Sequence, residues 1–338
     1  VAPSYEKGEI AVKEVLEKAW NWRQKSGLFD RLEAAVRVFH GPGESFQKTL
    51  DLHSFAVDRF ANHYWVTQWE RSNLSSAHFD RVKDQILEFY QSKGAESLGG
   101  VVRPERGGLA QKCEIWWGKT PEDKFVVHEN GCRFWIKLQN TRHPGLFLDH
   151  EPLRRWLIKN AQGWNVLNTF AYTGSLSVAA EVGKAKSITT LDLSQSTIQW
   201  AKENRELNGF TGSSSRWIVG DVFEWLPRLK KEKQIFDCIL LDPPSFSHGK
   251  RGRFSTTKDL PLLHEQAMDL LSPEGVLVSS INSANVSWKK FESDILSAAK
   301  SRKMEFQILK QIDLPESFPT LLGQAEDRYL KGWILKRI

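Results

Sequence analysis

Four short stretches in the second half of the chain have the residue types and spacing from which chemistry can be built. The first is Asn168-Thr169-Phe170-Ala171-Tyr172-Thr173-Gly174-Ser175, a small turn-forming segment behind an apolar run. Such a segment lets backbone approach a ligand closely. It has one glycine and no G-x-G-x-x-G pattern, so a dinucleotide site is poorly supported. A second apolar run ends at Asp192-Leu193-Ser194, where a carboxylate can accept both hydroxyl protons of a ribose. A third ends at Gly220-Asp221-Val222, where another carboxylate could accept from an exocyclic amine such as that of adenine. Each Asp alone reads equally well as a helix N-cap. Two in register behind a glycine-containing turn are harder to dismiss.

The fourth stretch is Asp242-Pro243-Pro244-Ser245-Phe246. Its prolines fix a stiff turn and remove two backbone donors, which leaves carbonyl oxygens facing outward. Asp242 can face a ligand and Phe246 offers a stacking surface, although Asp-Pro-Pro can also simply end a strand. His248, Lys250, Arg251 and Arg253 follow on a Gly-rich loop, a composition that suits phosphate contacts and equally an ordinary solvated loop. Behind the next apolar run comes Ser280-Ile281-Asn282-Ser283. Asn282 can hydrogen-bond a base edge or cap the following loop.

The elements that must hold these stretches follow from the rhythm of the chain. After about residue 150, apolar runs at 165–169, 187–191, 216–219, 236–241 and 276–281 alternate with helical patterns at 151–160, 175–182, 195–208, 222–230, 260–271 and 289–301. Further strands are expected at 306–311 and 329–335. That alternation predicts a parallel sheet covered by helices, with right-handed crossovers and ligands beyond the carboxyl ends of the strands. Ahead of it, short strand patterns at 35–39, 55–60, 63–69, 114–117, 125–128 and 133–138, with one helix at 76–92, predict a small α+β domain. Breakers at Gly41-Pro42-Gly43, Gly99-Gly100 and Gly107-Gly108 separate the pieces. A helix over 8–25 is expected to dock on that domain or on a partner. The division expected is a helical extension over 1–34, the small domain over 35–140, a candidate for RNA binding, and a third domain over 141–338.

The 338 residues are 40% hydrophobic and 26% charged, which excludes a disordered or collagen-like chain. Forty-seven Lys and Arg against 41 Asp and Glu give a net charge of +6, which permits a polyanionic partner without demanding one. Three cysteines, Cys113, Cys132 and Cys238, form no C-x-x-C pair, so a disulfide framework and a cysteine-rich zinc site are disfavoured and no metal is expected. A reducing cytoplasm is the simple expectation. No uncharged apolar run approaches membrane-spanning length, and the N-terminus lacks a signal-peptide core.

Taken together, these residues resemble class I S-adenosylmethionine (SAM)-dependent methyltransferases. More closely, they are similar to the large-subunit (23S) ribosomal RNA methyltransferases that modify guanine N7 or cytosine C5. Pro144-Gly145-Leu146-Phe147-Leu148-Asp149-His150 resembles that family's segment ahead of the SAM loop. Asn168–Ser175, Asp192-Leu193-Ser194, Asp242–Phe246 and Tyr329-Leu330-Lys331-Gly332 match as well. Val57-Asp58-Arg59-Phe60-Ala61-Asn62 resembles the Asp-Arg-Phe-Gly-Asn hairpin of its middle domain. The resemblance covers roughly 35–338 and implies a Rossmann-like α/β sheet. It implies that Asp192, flanked by Leu193 and Ser194, holds the ribose of SAM, and that Asp221, with Val222, holds the adenine. The backbone from Asn168 through Phe170, Tyr172 and Thr173 to Gly174 would hold the methionine part. Phe147, Asp149 and Asp242 would border the sulfonium, with S-adenosylhomocysteine (SAH) as product. One departure is Glu151, where the family carries Arg; Arg154 or Arg155 could take its place. The stretch 1–34 is also too short for the front modules of some relatives.

Chemistry then narrows the acceptor atom. Cytosine C5 is a poor nucleophile and needs a thiolate adding at C6. The cytosine-modifying relatives carry Ser-Cys-Ser after the fifth strand, where this chain has Asn282, and Cys238 reads as a core residue. Guanine N7 has a lone pair and no proton to lose, and the guanine-N7 relatives carry Asn-Asn, which Ile281-Asn282 partly matches. The expected catalytic set is Asp242, Pro243, Phe246 and Asn282, with Lys250, Arg251 and Arg253 on RNA. Phe246 would stack an extruded base. An exocyclic amine, cytosine C5, a protein and a small molecule stay as alternatives.

Overall fold

The computed structural model describes residues 5–31, 35–45, 51–70, 76–104, 112–121, 123–249, 252–283, 285–322 and 329–338. The chain divides into two units, Val1–Asp149 with Pro315–Asp327, and His150–Leu314 with Arg328–Ile338.

The first unit opens with helix α1 (Tyr5–Lys25). Val12, Leu16 and Ala19 recur on one face and are buried in a cluster with Val36, Ile86 and Leu98, so this helix packs on the core of its own unit. Arg23 ends it fully buried, in a two-pronged pair with Glu44 at 2.7 and 3.0 Å. The same guanidinium donates to the carbonyls of Ala19, Arg37 and Ser317. There follow α2 (Leu28–Arg31), β1 (Ala35–His40), α3 (Gly41–Glu44), β2 (Phe55–Phe60), β3 (His63–Trp69), α4 (Ser76–Ser92), β4 (Ser97–Arg103), β5 (Glu114–Gly118), β6 (Phe125–Glu129) and β7 (Cys132–Ile136). Strands β1 to β5 form one sheet in chain order, with β3 and β4 parallel and the other neighbours antiparallel. Strands β6 and β7 pair as a hairpin.

Strand β4 corrects the reading of Gly99-Gly100 as a breaker. A Cβ on Gly100 would stand 2.1 Å from the Trp116 ring, and one on Gly99 would stand 2.8 Å from the Glu114 carbonyl oxygen. The glycines are there because β5 lies close over them, a use of glycine that local composition cannot distinguish from a turn. Gly107-Gly108 lies outside the described residues.

The second unit contains α5 (Glu151–Asn160), β8 (Asn165–Thr169), α6 (Ser175–Val182), β9 (Ser187–Asp192), α7 (Gln195–Leu207), β10 (Ser215–Val219), α8 (Val222–Lys231) and β11 (Phe236–Leu241). Then come β12 (Phe246–Gly249), β13 (Gly252–Ser255), α9 (Thr256–Met268), β14 (Leu271–Ile281), α10 (Trp288–Ser301), β15 (Phe306–Gln311) and β16 (Lys331–Arg337). Seven of these strands form a Rossmann-like sheet in the order β10-β9-β8-β11-β14-β16-β15. The sheet is mixed rather than wholly parallel, because β16 inserts between β14 and β15 and runs antiparallel to both. Strand direction leaves no trace in hydrophobic periodicity, which is why the reversal is invisible in the sequence. The central strands are apolar on both faces: Val166, Leu167, Ile239, Leu240, Leu277 and Val278 are all buried.

A second correction concerns 246–255, expected as a loop. It is a hairpin in which Phe246 pairs with Ser255 and Gly249 with Gly252. Its last residue, Ser255, caps α9 by accepting from Thr257 N at 3.3 Å, so that helix starts at Thr256 and not near 260.

Helix α9 is tied to β14 by His264, which is fully buried. Its Nδ1 lies 2.7 Å from the Leu260 carbonyl oxygen, which can only accept, so Nδ1 carries the proton. Nε2 then accepts from Ser279 Oγ at 2.8 Å. Burial pushes this imidazole down from 6.5 to about 4. A folded value below the unfolded one means that folding favours the neutral ring. Its full contribution is present above pH 6.5 and is lost as pH falls from 6.5 toward 4, by about 2 kcal/mol at pH 5. Denaturant midpoints measured from pH 7 to 4.5 should fall more steeply for the wild type than for His264→Gln. Equal slopes would show that His264 does not carry this pH dependence.

Candidate active site

The sheet order sets four strand ends side by side, and each predicted stretch sits on one of them. Strands β10, β9, β8 and β11 are consecutive neighbours, with Val219 opposite Asp192, Leu191 opposite Thr169, and Thr169 opposite Leu241. Their carboxyl ends lead into Gly220-Asp221, Asp192-Leu193, Phe170–Gly174 and Asp242-Pro243 respectively. Three strand spacings span about 14 Å, room for an elongated ligand laid across them.

The segment after β8 is an irregular turn. Phe170, Tyr172 and Gly174 adopt left-handed φ of 53°, 50° and 73°. Two of these are non-glycine residues in a region that costs energy, a sign that the surroundings fix the loop. Asp192 does much of the fixing. Its Oδ2 accepts from Tyr172 N at 2.8 Å, while Oδ1 accepts from Ser194 N and Thr197 Oγ1, both at 2.9 Å. Buried Asn204 donates to the Thr173 carbonyl at 2.9 Å. Asn168 is buried too, and its amide donates to Ser177 Oγ, itself 2.9 Å from Thr190 Oγ1. Its side chain therefore ties the end of β8 to α6 and, through Ser177, to β9.

Asp221 is the N-cap of α8, with Oδ1 accepting from Phe223 N at 2.9 Å. Val222 is buried as the first residue of that helix. Ser194 caps α7, and Leu193 beside it is 44% exposed, an apolar face at the end of β9. The capping roles are thus real for both Asp221 and Ser194. They use one oxygen of the Asp221 carboxylate and leave the other available to a donor.

At the end of β11, Asp242 keeps part of its side chain exposed. Its Oδ1 accepts from Ser280 Oγ at 2.7 Å, and its Oδ2 lies 3.2 Å from His150 Nε2. Pro243 is buried behind it. Asn282, exposed just past β14, accepts from Ser245 Oγ at 3.5 Å, so the structure brings the Asp-Pro-Pro turn and the Asn282 loop together. The helix that follows is capped by Ser287, not by Asn282. Buried Lys331 donates to the Ser283 carbonyl at 3.1 Å from the start of β16. His150, Ser280 and Lys331 are absent from the sequence-based site. His150 and Lys331 lie inside matched motifs, but only the fold shows where they reach.

The hairpin β12–β13 is anchored here by Phe254, whose ring lies 5.9 Å from Phe170 and 5.6 Å from Phe223. Phe246 begins β12 and Arg253 lies in β13; their side chains, with Lys250 and Arg251 entirely, fall outside the described residues. Phe147 is 38% exposed and lies 5.2 Å from the His143 ring; with Asp149 it belongs to the first unit. Glu151 is buried and 3.5 Å from Arg155, one turn on. Arg154, also buried, reaches Ser175 Oγ at 3.5 Å and so is the arginine beside the Phe170–Gly174 turn.

The donors and acceptors fit SAM. Asp192 Oδ2 accepts one bond among the described residues and has a lone pair for a ribose hydroxyl. The Phe170–Gly174 backbone and the Leu193 face flank it. No group of three or more His, Cys, Asp or Glu among the described residues could hold a metal ion. Among the described residues, no helix is long and apolar enough to cross a membrane.

Gly174 is the tightest point of this arrangement. A Cβ there would stand 2.7 Å from Ala201 Cβ, at a φ of 73°. Gly174→Ala should cost about 1–2 kcal/mol from the backbone alone, and more from the contact with α7. Urea unfolding measures it, and a loss below 0.5 kcal/mol, on the order of error, would contradict the packing.

Comparisons with known proteins agree with this fold. Residues 36–329 match the family model for S-adenosylmethionine-dependent methyltransferases. The ribosomal RNA large subunit methyltransferase K of Neisseria meningitidis serogroup B is 37% identical over 281 residues, 81% of this chain and 76% of that protein. The ribosomal RNA large subunit methyltransferase I of Erwinia tasmaniensis is 31% identical over 345 residues, 96% of this chain and 85% of that protein. Among solved structures, a protein assigned as a methyltransferase and complexed with SAH superposes with a TM-score of 0.86, at 24% identity, over 97% of this chain and 82% of its own. The SAM-dependent methyltransferase from Agrobacterium tumefaciens gives 0.62, at 20% identity, over 84% and 86%. The mixed seven-stranded sheet, the acidic strand ends and the family match lead to one conclusion: this chain belongs to the S-adenosylmethionine-dependent methyltransferases.

Proposed function

We propose that the chain methylates N7 of a guanine in large-subunit ribosomal RNA, without a covalent enzyme–base intermediate. The observation that carries the choice of atom is Asn282, exposed beside the Asp-Pro-Pro turn at the position where the resemblance puts the cysteine of the C5-cytosine enzymes. All three cysteines are buried and none is in a disulfide. Cys238 lies within β11, its thiol pushed far up by burial, and Cys113 is pushed up to about 12. A thiol at either value is not a thiolate near neutrality, so neither supplies a nucleophile. The large-subunit ribosomal RNA names of the relatives support the substrate class. Since K-type and I-type relatives both match, the acceptor atom is argued from this chain's own residues.

Bound SAM supplies a methyl group on a sulfonium. The N7 lone pair forms the new carbon–nitrogen bond as the methyl–sulfur bond breaks, and no proton has to leave. The protein's task is then to orient the base and exclude water. In this reading the Asn282 amide holds the base edge and Asp192 the ribose. Asp221 takes the adenine, and the turn from Asn168 to Gly174 takes the methionine part. Phe246 stacks the extruded base, and Lys250, Arg251 and Arg253 take backbone phosphates. A second reading, transfer to an exocyclic amine, is supported by the Asp242 carboxylate, a partly exposed acceptor held by Ser280 and beside His150.

The test is transfer of labelled methyl from SAM to unmodified large-subunit ribosomal RNA, followed by nucleoside mass spectrometry. 7-Methylguanosine is expected. An N-methylated amine would move the role of Asp242 to the centre, 5-methylcytidine would refute the cysteine argument, and no labelled nucleoside would take the substrate away from ribosomal RNA. Cys238→Ser should keep at least half of the wild-type rate, on the order expected for a buried thiol with no chemical part; loss of transfer by a folded variant would reopen the covalent route.

A further inference from the structure

His150 is the N-cap residue of α5, yet its side chain makes no capping bond. It turns instead to the end of β11, where Nε2 lies 3.2 Å from Asp242 Oδ2 and 3.4 Å from Ser280 Oγ. Ser280, from near the end of β14, donates to Asp242 Oδ1 at 2.7 Å. One carboxylate is therefore gripped at both oxygens by side chains from two other elements. The two donors are buried, His150 at 7% exposure and Ser280 at 0%, whereas the Asp242 side chain is 31% exposed. The clamp is inside and the clamped group faces out.

The chemistry fixes the protons. An ionised carboxylate only accepts, so His150 Nε2 carries its hydrogen toward Oδ2 and the Ser280 hydroxyl points at Oδ1. Each oxygen keeps a second lone pair, and the side chain is partly exposed. A free Asp turns about χ1 and χ2 and must be ordered in each encounter. Here that cost is met by folding, which is how positioning groups favour a transition state.

We infer that His150 and Ser280 are positioning residues that lock the Asp242 carboxylate in the one orientation from which it can meet the transferring end of SAM and the acceptor base. The inference rests on the reading of Asp242 as part of that site. Neither residue touches the reacting atoms. His150→Leu removes one donor while keeping bulk, Ser280→Ala removes the other, and His150→Gln returns an N–H near Nε2.

The test combines turnover with a double-mutant cycle on SAM affinity. His150→Leu should lower kcat by about ten- to a hundred-fold, the range for losing a hydrogen bond to a charged group, with KM for RNA changed less than three-fold, about the error of such comparisons. His150→Gln should recover much of the rate. A merely structural role would lower thermal stability and the active fraction without that rescue. Calorimetric titration with SAM then compares His150→Leu, Asp242→Asn and the pair. If His150 acts through Asp242, the pair binds SAM no more weakly than Asp242→Asn alone. If the two losses multiply, or if His150→Leu and Ser280→Ala both turn over at the wild-type rate, the clamp is wrong. The titration needs no RNA, so its outcome is independent of whether ribosomal RNA is the substrate.

Discussion

The site is organised around the carboxylate of Asp192. It accepts one hydrogen bond from the turn after β8, at Tyr172 N, and two from the turn into α7, at Ser194 N and Thr197 Oγ1. A single charged group thereby holds two loops from neighbouring strands. It sets the left-handed residues Phe170 and Tyr172, conformations that a free loop would not keep. Hydrogen bonds to an ionised group are stronger than neutral ones, so a single residue can carry this load. The same carboxylate keeps a lone pair on Oδ2 beyond its bond from Tyr172 N, and the proposed reading gives that lone pair to the ribose.

From that point the arrangement spreads along the sheet. Asn204 holds the Phe170–Gly174 turn at the Thr173 carbonyl, and the Asn168–Ser177–Thr190 network joins β8, α6 and β9. Phe254 packs between Phe170 of this turn and Phe223 at the start of α8, so the β12–β13 hairpin is anchored to two of the strand-end loops at once. On the other side, His264 ties α9 to β14, the strand that delivers Ser280 and Asn282. Lys331 joins β16 to the same loop through the Ser283 carbonyl. The loops at the strand ends thus share supports.

What could be read in the sequence follows physical lines. Buried parallel strands are short apolar runs, so 165–169 and 236–241 are legible to the residue. The acidic strand ends are legible because a charge stands where an apolar run stops. Gly99 and Gly100 misled, since they serve the approach of β5 and not a turn. The β12–β13 hairpin is masked by its glycines and basic residues, whose composition is that of a loop. The return of 315–327 to the first unit and the reversal of β16 belong to topology, which periodicity does not encode. The His150–Asp242–Ser280 contact joins residues up to 130 positions apart, and only the fold brings them together.

In the proposed reading the four strand ends form one SAM site with Asp192 at its pivot. It is tested most directly by calorimetric titration of SAH into the wild type and into Asp192→Ala, with folding of both checked by circular dichroism. Loss of a charged hydrogen-bond partner to the ribose should weaken binding by about ten-fold or more. Equal affinity in a folded Asp192→Ala variant would contradict the account and place the cofactor elsewhere on the sheet.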